Sequence, residues 1–183
     1  MSEERNSWTV KEAEIHAELV QLMALTPEEI AALGELREQA AGQAKPMTEA
    51  FYSRLTAHPN TLEFFTGVDL GHMHQVTGQW FTELFGGLYD AAYVARRLTI
   101  GTTHVRIGLP VRYPLAMLDI ISEHGYQVAA QSDRPDLARQ AFRKVLALDV
   151  AVFNQAYEDN QLKHLSELVG GERLARRLLA GVQ

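Results

Sequence analysis

The sequence predicts an all-α fold, one domain of seven or eight helices. Apolar residues recur at three- and four-residue spacing along almost the whole chain, the period of a helix with one buried face. Strand signals are nearly absent: there are no alternating β-branched runs and no Asn-Gly hairpin turn. With 183 residues, 46% of them hydrophobic and 22% charged, the chain has the length and composition of one globular domain with a real core.

The elements follow in order. A first helix is expected over residues 10–24. "TPEEIAALGEL" starts a second, with Thr26 as N-cap, Pro27 at the first helical position and Glu29 closing a capping box. The pattern continues past Pro46, where a kink or a break between two helices is expected. "EAFYSRLTAHP" ends at Pro59, and "NTLEFF" forms a short apolar turn before Gly67. A helix is expected over 70–88, another over 91–107, and a third from Pro110 to about Ala130. In "SDRPD", Ser132 or Asp133 caps a long helix that runs to about Leu168. Gly170 and Gly171 break it, and "ERLARRLLAGVQ" reads as a short amphipathic tail. There are no internal repeats and no low-complexity linker.

Charge and composition exclude several function classes. The net charge is −6 and no basic stripe is present, so nucleic acid is not an expected partner. The absence of cysteine removes disulfides, thiolate metal sites and a cysteine nucleophile. The start, "MSEERNSWTVKEAEIHAEL", lacks the apolar core of a signal peptide, and no run approaches the length of a membrane span. The expected compartment is the cytoplasm. No HExxH motif, phosphate-cradling glycine loop or GxSxG elbow occurs.

Three stretches could carry chemistry. In "LTIGTTHVRIGLPVRYPLAML", residues 98–118, His104 lies between Gly101 and Gly108. Each glycine inside a helix costs about 1 kcal/mol relative to alanine. Ile100, Gly101, His104, Ile107 and Gly108 share one face, which would suit a flat ligand beside an imidazole. The alternative is a buried histidine satisfied by a backbone carbonyl. In "EAFYSRL", Phe51 and Tyr52 are either aromatic core or a pocket edge with a phenolic donor. In "LGHMHQVTGQWFTELFGGL", the two histidines stand two residues apart, about 200° around a helix, so they do not form a metal pair. Met73 falls on the apolar face, His72 points nearly opposite it, and His74 sits on its flank. At most one histidine of the two reaches the interior, and His74 is that candidate. The other reading leaves both on the surface.

Together these residues resemble the sensor globin of the globin-coupled sensors, a family of bacterial haem proteins. The most specific match is "IGTTHVRIGLPVRY": a histidine, then Arg-Ile-Gly-Leu, then proline and an aromatic. "FYSRLTAHP" resembles the family's distal helix, "LEFF" the corner after it, and Trp80 sets the register of the helix that follows. The resemblance covers residues 26–160, roughly. It implies a globin fold with an extra N-terminal helix: an extension over 1–25, the sensor globin over 26–168, and a tail or linker over 169–183.

The resemblance also implies roles. His104 would be the proximal ligand of haem b iron, with Tyr113 on the same side near the imidazole. Tyr52 would donate a hydrogen bond to bound oxygen, in a distal pocket shared with Met73 and Thr77. A one-residue shift of register would make His74 a sixth ligand. Phe51, Leu55, Phe64, Gly101, Ile107, Gly108, Tyr113 and Met117 would complete the pocket, and the two glycines would clear the face that meets the porphyrin. The implied function is a haem-based sensor of a diatomic gas (oxygen, carbon monoxide or nitric oxide), rather than an enzyme. Dimerisation is expected through the last two globin helices, with Val145, Leu148, Val152 and Leu162 as a seam or as intramolecular core. The family usually continues into an output domain such as a cyclase, kinase or chemotaxis module; here the chain stops at Gln183, as a fragment or as a single-domain member. The rivals are a haem-free globin acting as a signalling scaffold, and a haem enzyme acting on nitric oxide.

Overall fold

Thr26 stops one helix from running into the next. Its hydroxyl accepts from the Glu29 amide at 3.2 Å, and the Glu29 carboxylate accepts from the Thr26 amide at 2.8 Å. This is the capping box that the sequence predicts, with Pro27 opening the helix. The structure is a computed structural model that describes residues 13–181. The part of the predicted first helix at residues 10–12 lies outside the described residues. Within them the helices are α1 (Ala13–Met23), α2 (Pro27–Gly34), α3 (Arg37–Ala57), α4 (Pro59–Leu62), α5 (Leu70–Glu83), α6 (Ala91–Arg106), α7 (Arg112–Ala116), α8 (Leu118–Ala129), α9 (Pro135–Val169) and α10 (Glu172–Leu179). A 3-10 turn, Glu63–Phe65, follows α4. These residues form no strand, and no helix among them is long and apolar enough to cross a membrane.

Several boundaries differ from expectation. α3 continues through Pro46 without a break, and the break comes earlier, between Gly34 and Arg37. Pro46 and Gly42 are both exposed, so water can take the Gly42 carbonyl that the proline leaves without a donor. α5 stops at Glu83 rather than Leu88, because residues 84–88 turn through Gly87 at φ +68°. That glycine passes tightly over Gly34; a Cβ on it would lie 3.2 Å from the Gly34 Cα. The expected helix from Pro110 is two helices, α7 and α8, joined at Met117. Neither Ser132 nor Asp133 caps α9. Ser132 accepts only from the Arg134 amide, one residue before the helix, and α9 opens on Pro135.

α9 is the spine. Ala138, Ala141, Phe142, Val145, Leu148 and Val152 recur at helical spacing and are fully buried within the single chain. α2, α6 and α8 pack along it, and α10 folds back on it with Ala175 buried. Phe142 stacks on Phe85 at 5.2 Å, and Gly125 of α8 leaves the room that the Phe142 ring occupies. Val145, Leu148 and Val152 therefore belong to the chain's own core, where they contribute nothing to a seam between copies; Leu162 is only half-buried. Lys144 ties the end of α1 and the start of α2 to the spine, donating to the Ala24 carbonyl at 2.9 Å and to the buried Glu29 carboxylate at 2.8 Å.

Candidate functional site

α6 starts where Asp90 accepts from the Tyr93 amide at 2.9 Å. Counting from that cap puts Tyr93, Arg97, Ile100, Gly101 and His104 on one face. The face ends at Gly108, which adopts φ +70°. The Leu109 amide donates to the His104 carbonyl at 3.0 Å and the Gly108 amide to the Val105 carbonyl at 2.9 Å. This pair of bonds is a Schellman cap, which needs glycine at the left-handed position. Gly108 thus terminates the helix that carries His104, and it lies outside the cavity lining. Gly101 has a different task again. A Cβ there would lie 2.7 Å from Ala156 Cβ and 3.1 Å from the Phe153 carbonyl, so Gly101 brings α6 against the backbone of α9. The reason expected for both glycines is replaced by these two.

His104 Nδ1 lies 2.7 Å from the Ile100 carbonyl. A carbonyl only accepts, so Nδ1 carries the proton and Nε2 the lone pair. Burial holds the imidazole below its ordinary pKa against the opposing pull of that carbonyl, which favours the neutral form. Phe153 of α9 meets the ring edge-to-face at 5.2 Å.

The imidazole lines an apolar cavity between α3, α5, α6, α8 and α9. Its other walls are Phe51 and Tyr52 of α3, Met73, Val76, Thr77 and Trp80 of α5, and Pro114, Leu115, Leu118 and Ile121 of α7 and α8. Arg97 and Ile100 of α6, with Leu146, Asp149, Val150 and Phe153 of α9, close it. Tyr52 is buried, and its hydroxyl shares a 2.7 Å hydrogen bond with the Thr77 hydroxyl and donates to the Met73 carbonyl at 3.4 Å. Burial pushes the phenol above its ordinary pKa, with Thr77 opposing, so it stays a proton donor.

Of the residues picked out in the sequence, the cavity brings together His104, Ile100, Phe51, Tyr52, Met73, Thr77 and Trp80. The others lie elsewhere. His74 packs against the Tyr52 ring at 4.7 Å, tilted by 48°, and lines a shallow groove between α3 and α5 with Lys45 and Thr48. His72 is exposed. Tyr113 faces Phe64 and His58, each at 6.4 Å between ring centroids, rather than the His104 imidazole. Phe65, the neighbour of Phe64, is the aromatic that meets Tyr52, at 5.7 Å. Ile107 and Gly108 are exposed at the helix end; Leu55, Gly101 and Met117 pack outside the cavity wall.

Sequence reasoning missed an ionic cluster at one end of the cavity. Asp149, 5% exposed, accepts from Arg97 Nε at 3.0 Å, from Trp80 Nε1 at 2.8 Å and from the Tyr93 hydroxyl. Arg97, 3% exposed, also pairs with Glu83 and lies 4.1 Å over the Tyr93 ring. Burial pushes the Asp149 carboxyl up; the Arg97 guanidinium and the Tyr93 and Trp80 donors pull it back. The signal was there to read: Arg97 stands seven residues before His104 on the same face, and Asp149 interrupts the apolar stripe of Val145, Leu148 and Val152. Among the described residues no group of three or more His, Asp or Glu side chains could hold a bare metal ion. The donor set is instead one neutral imidazole with a free lone pair on one wall and a phenol on another, amid apolar side chains. That chemistry fits haem, whose iron takes a neutral imidazole as axial ligand.

A family model described as Protoglobin matches residues 12–163. No curated protein matches the chain. Among solved structures, the globin domain of the Geobacter sulfurreducens globin-coupled sensor aligns with a TM-score of 0.71 at 25% identity. The alignment covers 77% of this chain and 96% of that one.

Proposed function

Because this chain belongs to the protoglobin family and shares the globin fold of a globin-coupled sensor, we propose that it senses a diatomic gas through haem b held by His104. The observation that carries this reading is the imidazole itself: Nδ1 is committed to the Ile100 carbonyl at 2.7 Å, which leaves Nε2 on the cavity wall to hold the iron. The carbonyl fixes the tautomer and raises the basicity of the ligating nitrogen. Haem, when bound, supplies an iron centre that takes oxygen, carbon monoxide or nitric oxide.

The rest of the chemistry belongs to the chain. Tyr52 keeps a phenolic proton in an apolar cavity, where a hydrogen bond to a polar ligand counts for more than in water. Thr77 parks that hydroxyl at 2.7 Å, so the donor is oriented before it is needed. Met73 and Phe51 exclude water from the same wall. His74, packed at a tilt against the Tyr52 ring outside the cavity lining, supports the phenol from behind, and a role as sixth ligand is not part of this reading.

The proposal extends to domains and signalling. Residues 1–25 would be an extension, 26–168 the sensor globin, and 169–183 a tail leading toward an output domain in a longer chain. A homodimer would form through α8 and α9, with a seam that includes the half-buried Leu162 and the exposed Leu168 of α9 rather than the spine residues buried in the chain's own core. The test is a titration of the purified chain with haem followed by reduction. One equivalent per chain, a Soret band, and a shift of that band under carbon monoxide are expected. A titration without a saturable Soret band overturns the reading.

A further inference from the structure

Phe153 and Tyr157 stand one turn apart on α9, and both are directed at the end of α6. The Phe153 ring meets the His104 imidazole edge-to-face at 5.2 Å and 75°, and the Tyr157 ring lies against Phe153 at 5.3 Å. The Tyr157 hydroxyl reaches back to α6 and donates to the Leu109 carbonyl at 2.9 Å. Leu109 is the residue whose amide caps the His104 carbonyl. The three rings therefore bridge the two helices at His104, and the hydroxyl closes the loop at the turn from which His104 hangs.

Each contact restrains a different freedom of the imidazole. The Ile100 carbonyl fixes which nitrogen carries the proton, and it permits the ring to tilt about that hydrogen bond. An edge-to-face neighbour opposes the tilt, because such ring pairs have a preferred geometry. The Leu109 carbonyl, held by Tyr157, pins the Schellman turn, which would otherwise be free to fray as helix ends do. The backbone of α6 is meanwhile in contact with α9 at Gly101, where no side chain intervenes. Ring tilt and helix end are thus both referred to α9, while the protonated nitrogen is set within α6.

We propose that Phe153 and Tyr157 are the positioning residues of the His104 imidazole, Phe153 fixing its tilt and Tyr157 fixing the turn that carries it. This rests on His104 being the iron ligand. Ordinary aromatic packing would give the same stack but would leave the metal–imidazole bond indifferent to the Tyr157 hydroxyl, which touches neither ring of the His104–Phe153 pair through a hydrogen bond.

The test uses the full chain loaded with haem, with Tyr157→Phe and Phe153→Leu beside the wild type. Tyr157→Phe keeps the ring and removes only the hydroxyl, so it folds even where the larger truncation does not. The readout is the iron–histidine stretching band of the reduced protein by resonance Raman, with the Soret absorbance checking haem content. Amide hydrogen exchange at Gly108 and Leu109 in the haem-free chain gives an independent readout. The expected result is a band shifted or broadened in both variants, at wild-type haem content in Tyr157→Phe, with faster exchange at the two amides in Tyr157→Phe. A wild-type band in both variants overturns the positioning role alone. A wild type that binds haem without any iron–histidine band overturns the ligand assignment and, with it, this proposal.

Discussion

The two walls of the cavity are fastened in different ways. The wall built by α6 and α9 is held by ions and by backbone contact: Asp149 takes Arg97, Trp80 and Tyr93 at once, and Gly101 lets the helices touch. The wall built by α3 and α5 meets that cluster at the end of α5, where Trp80 and Glu83 reach Asp149 and Arg97; around the phenol it is held by neutral groups, with Tyr52 and Thr77 sharing a hydrogen bond and Gly78 lying against Ala44. Buried charges are costly to part, because each leaves the other unpaired. A hydroxyl pair exchanges partners at little cost, because either oxygen can donate and the new partner repays the old. The imidazole therefore hangs on a helix that buried ion pairs fasten, and the phenol on a hydroxyl pair that can exchange partners.

The largest test of that contrast is Asp149→Ala. It leaves the buried Arg97 guanidinium with Glu83 as its remaining carboxylate and the Trp80 and Tyr93 donors without their acceptor, and should cost about 3–5 kcal/mol of folding stability, the scale for breaking a buried ion pair. Chemical denaturation reads it, and a loss below about 1 kcal/mol, the surface-pair scale, would mean that the cluster is solvated and the wall is not ionically fastened.

Gly101→Ala comes next. The added methyl meets Ala156 at 2.7 Å, and overpacking of this kind costs about 1–3 kcal/mol, more than the helix propensity it gains. Gly42→Ala in α3 is the control: its Cβ would meet nothing within 4 Å, so a gain of about 0.5–1 kcal/mol is expected. Equal effects at the two glycines would erase the difference in packing between the walls.

Tyr52→Phe is the smallest in stability, about 1 kcal/mol for one hydrogen bond, and should show its effect in ligand kinetics instead. Loss of the donor should speed oxygen release about tenfold, the equivalent of about 1.4 kcal/mol. Stopped-flow displacement by carbon monoxide measures it, and an unchanged off-rate removes Tyr52 from the role of donor.

The difference between the walls also explains what was legible in the sequence. Local rules were readable. The Thr26–Glu29 box, Pro27, the stop at Pro59 and the break at Gly170 are all decided within a few residues of chain. The placement of His104 and Tyr52 on inward faces follows from helical period, and the cavity holds both. What failed needed a second helix to be known. Gly101 and Gly108 look alike in sequence, yet one exists for α9 and the other for its own helix end. Pro46 signals a break that an exposed face makes unnecessary. Phe64 and Phe65 adjoin in a 3-10 turn, yet one meets Tyr113 and the other Tyr52, a division that only the neighbouring helices decide. Arg97 and Asp149 carry charges that, read singly, belong on a surface; only their meeting across 52 residues lets both be buried.

Both walls matter only if the fastened one carries the iron. The direct measurement is the spectrum of His104→Ala loaded with haem and reduced, beside that of the wild type. The folded helical domain should persist by circular dichroism, while the wild-type Soret band and the iron–histidine band disappear, and added imidazole should restore a ligated spectrum through the space left on that wall. A variant that keeps the wild-type spectrum without added imidazole would place the ligand on another residue and contradict the assignment of His104.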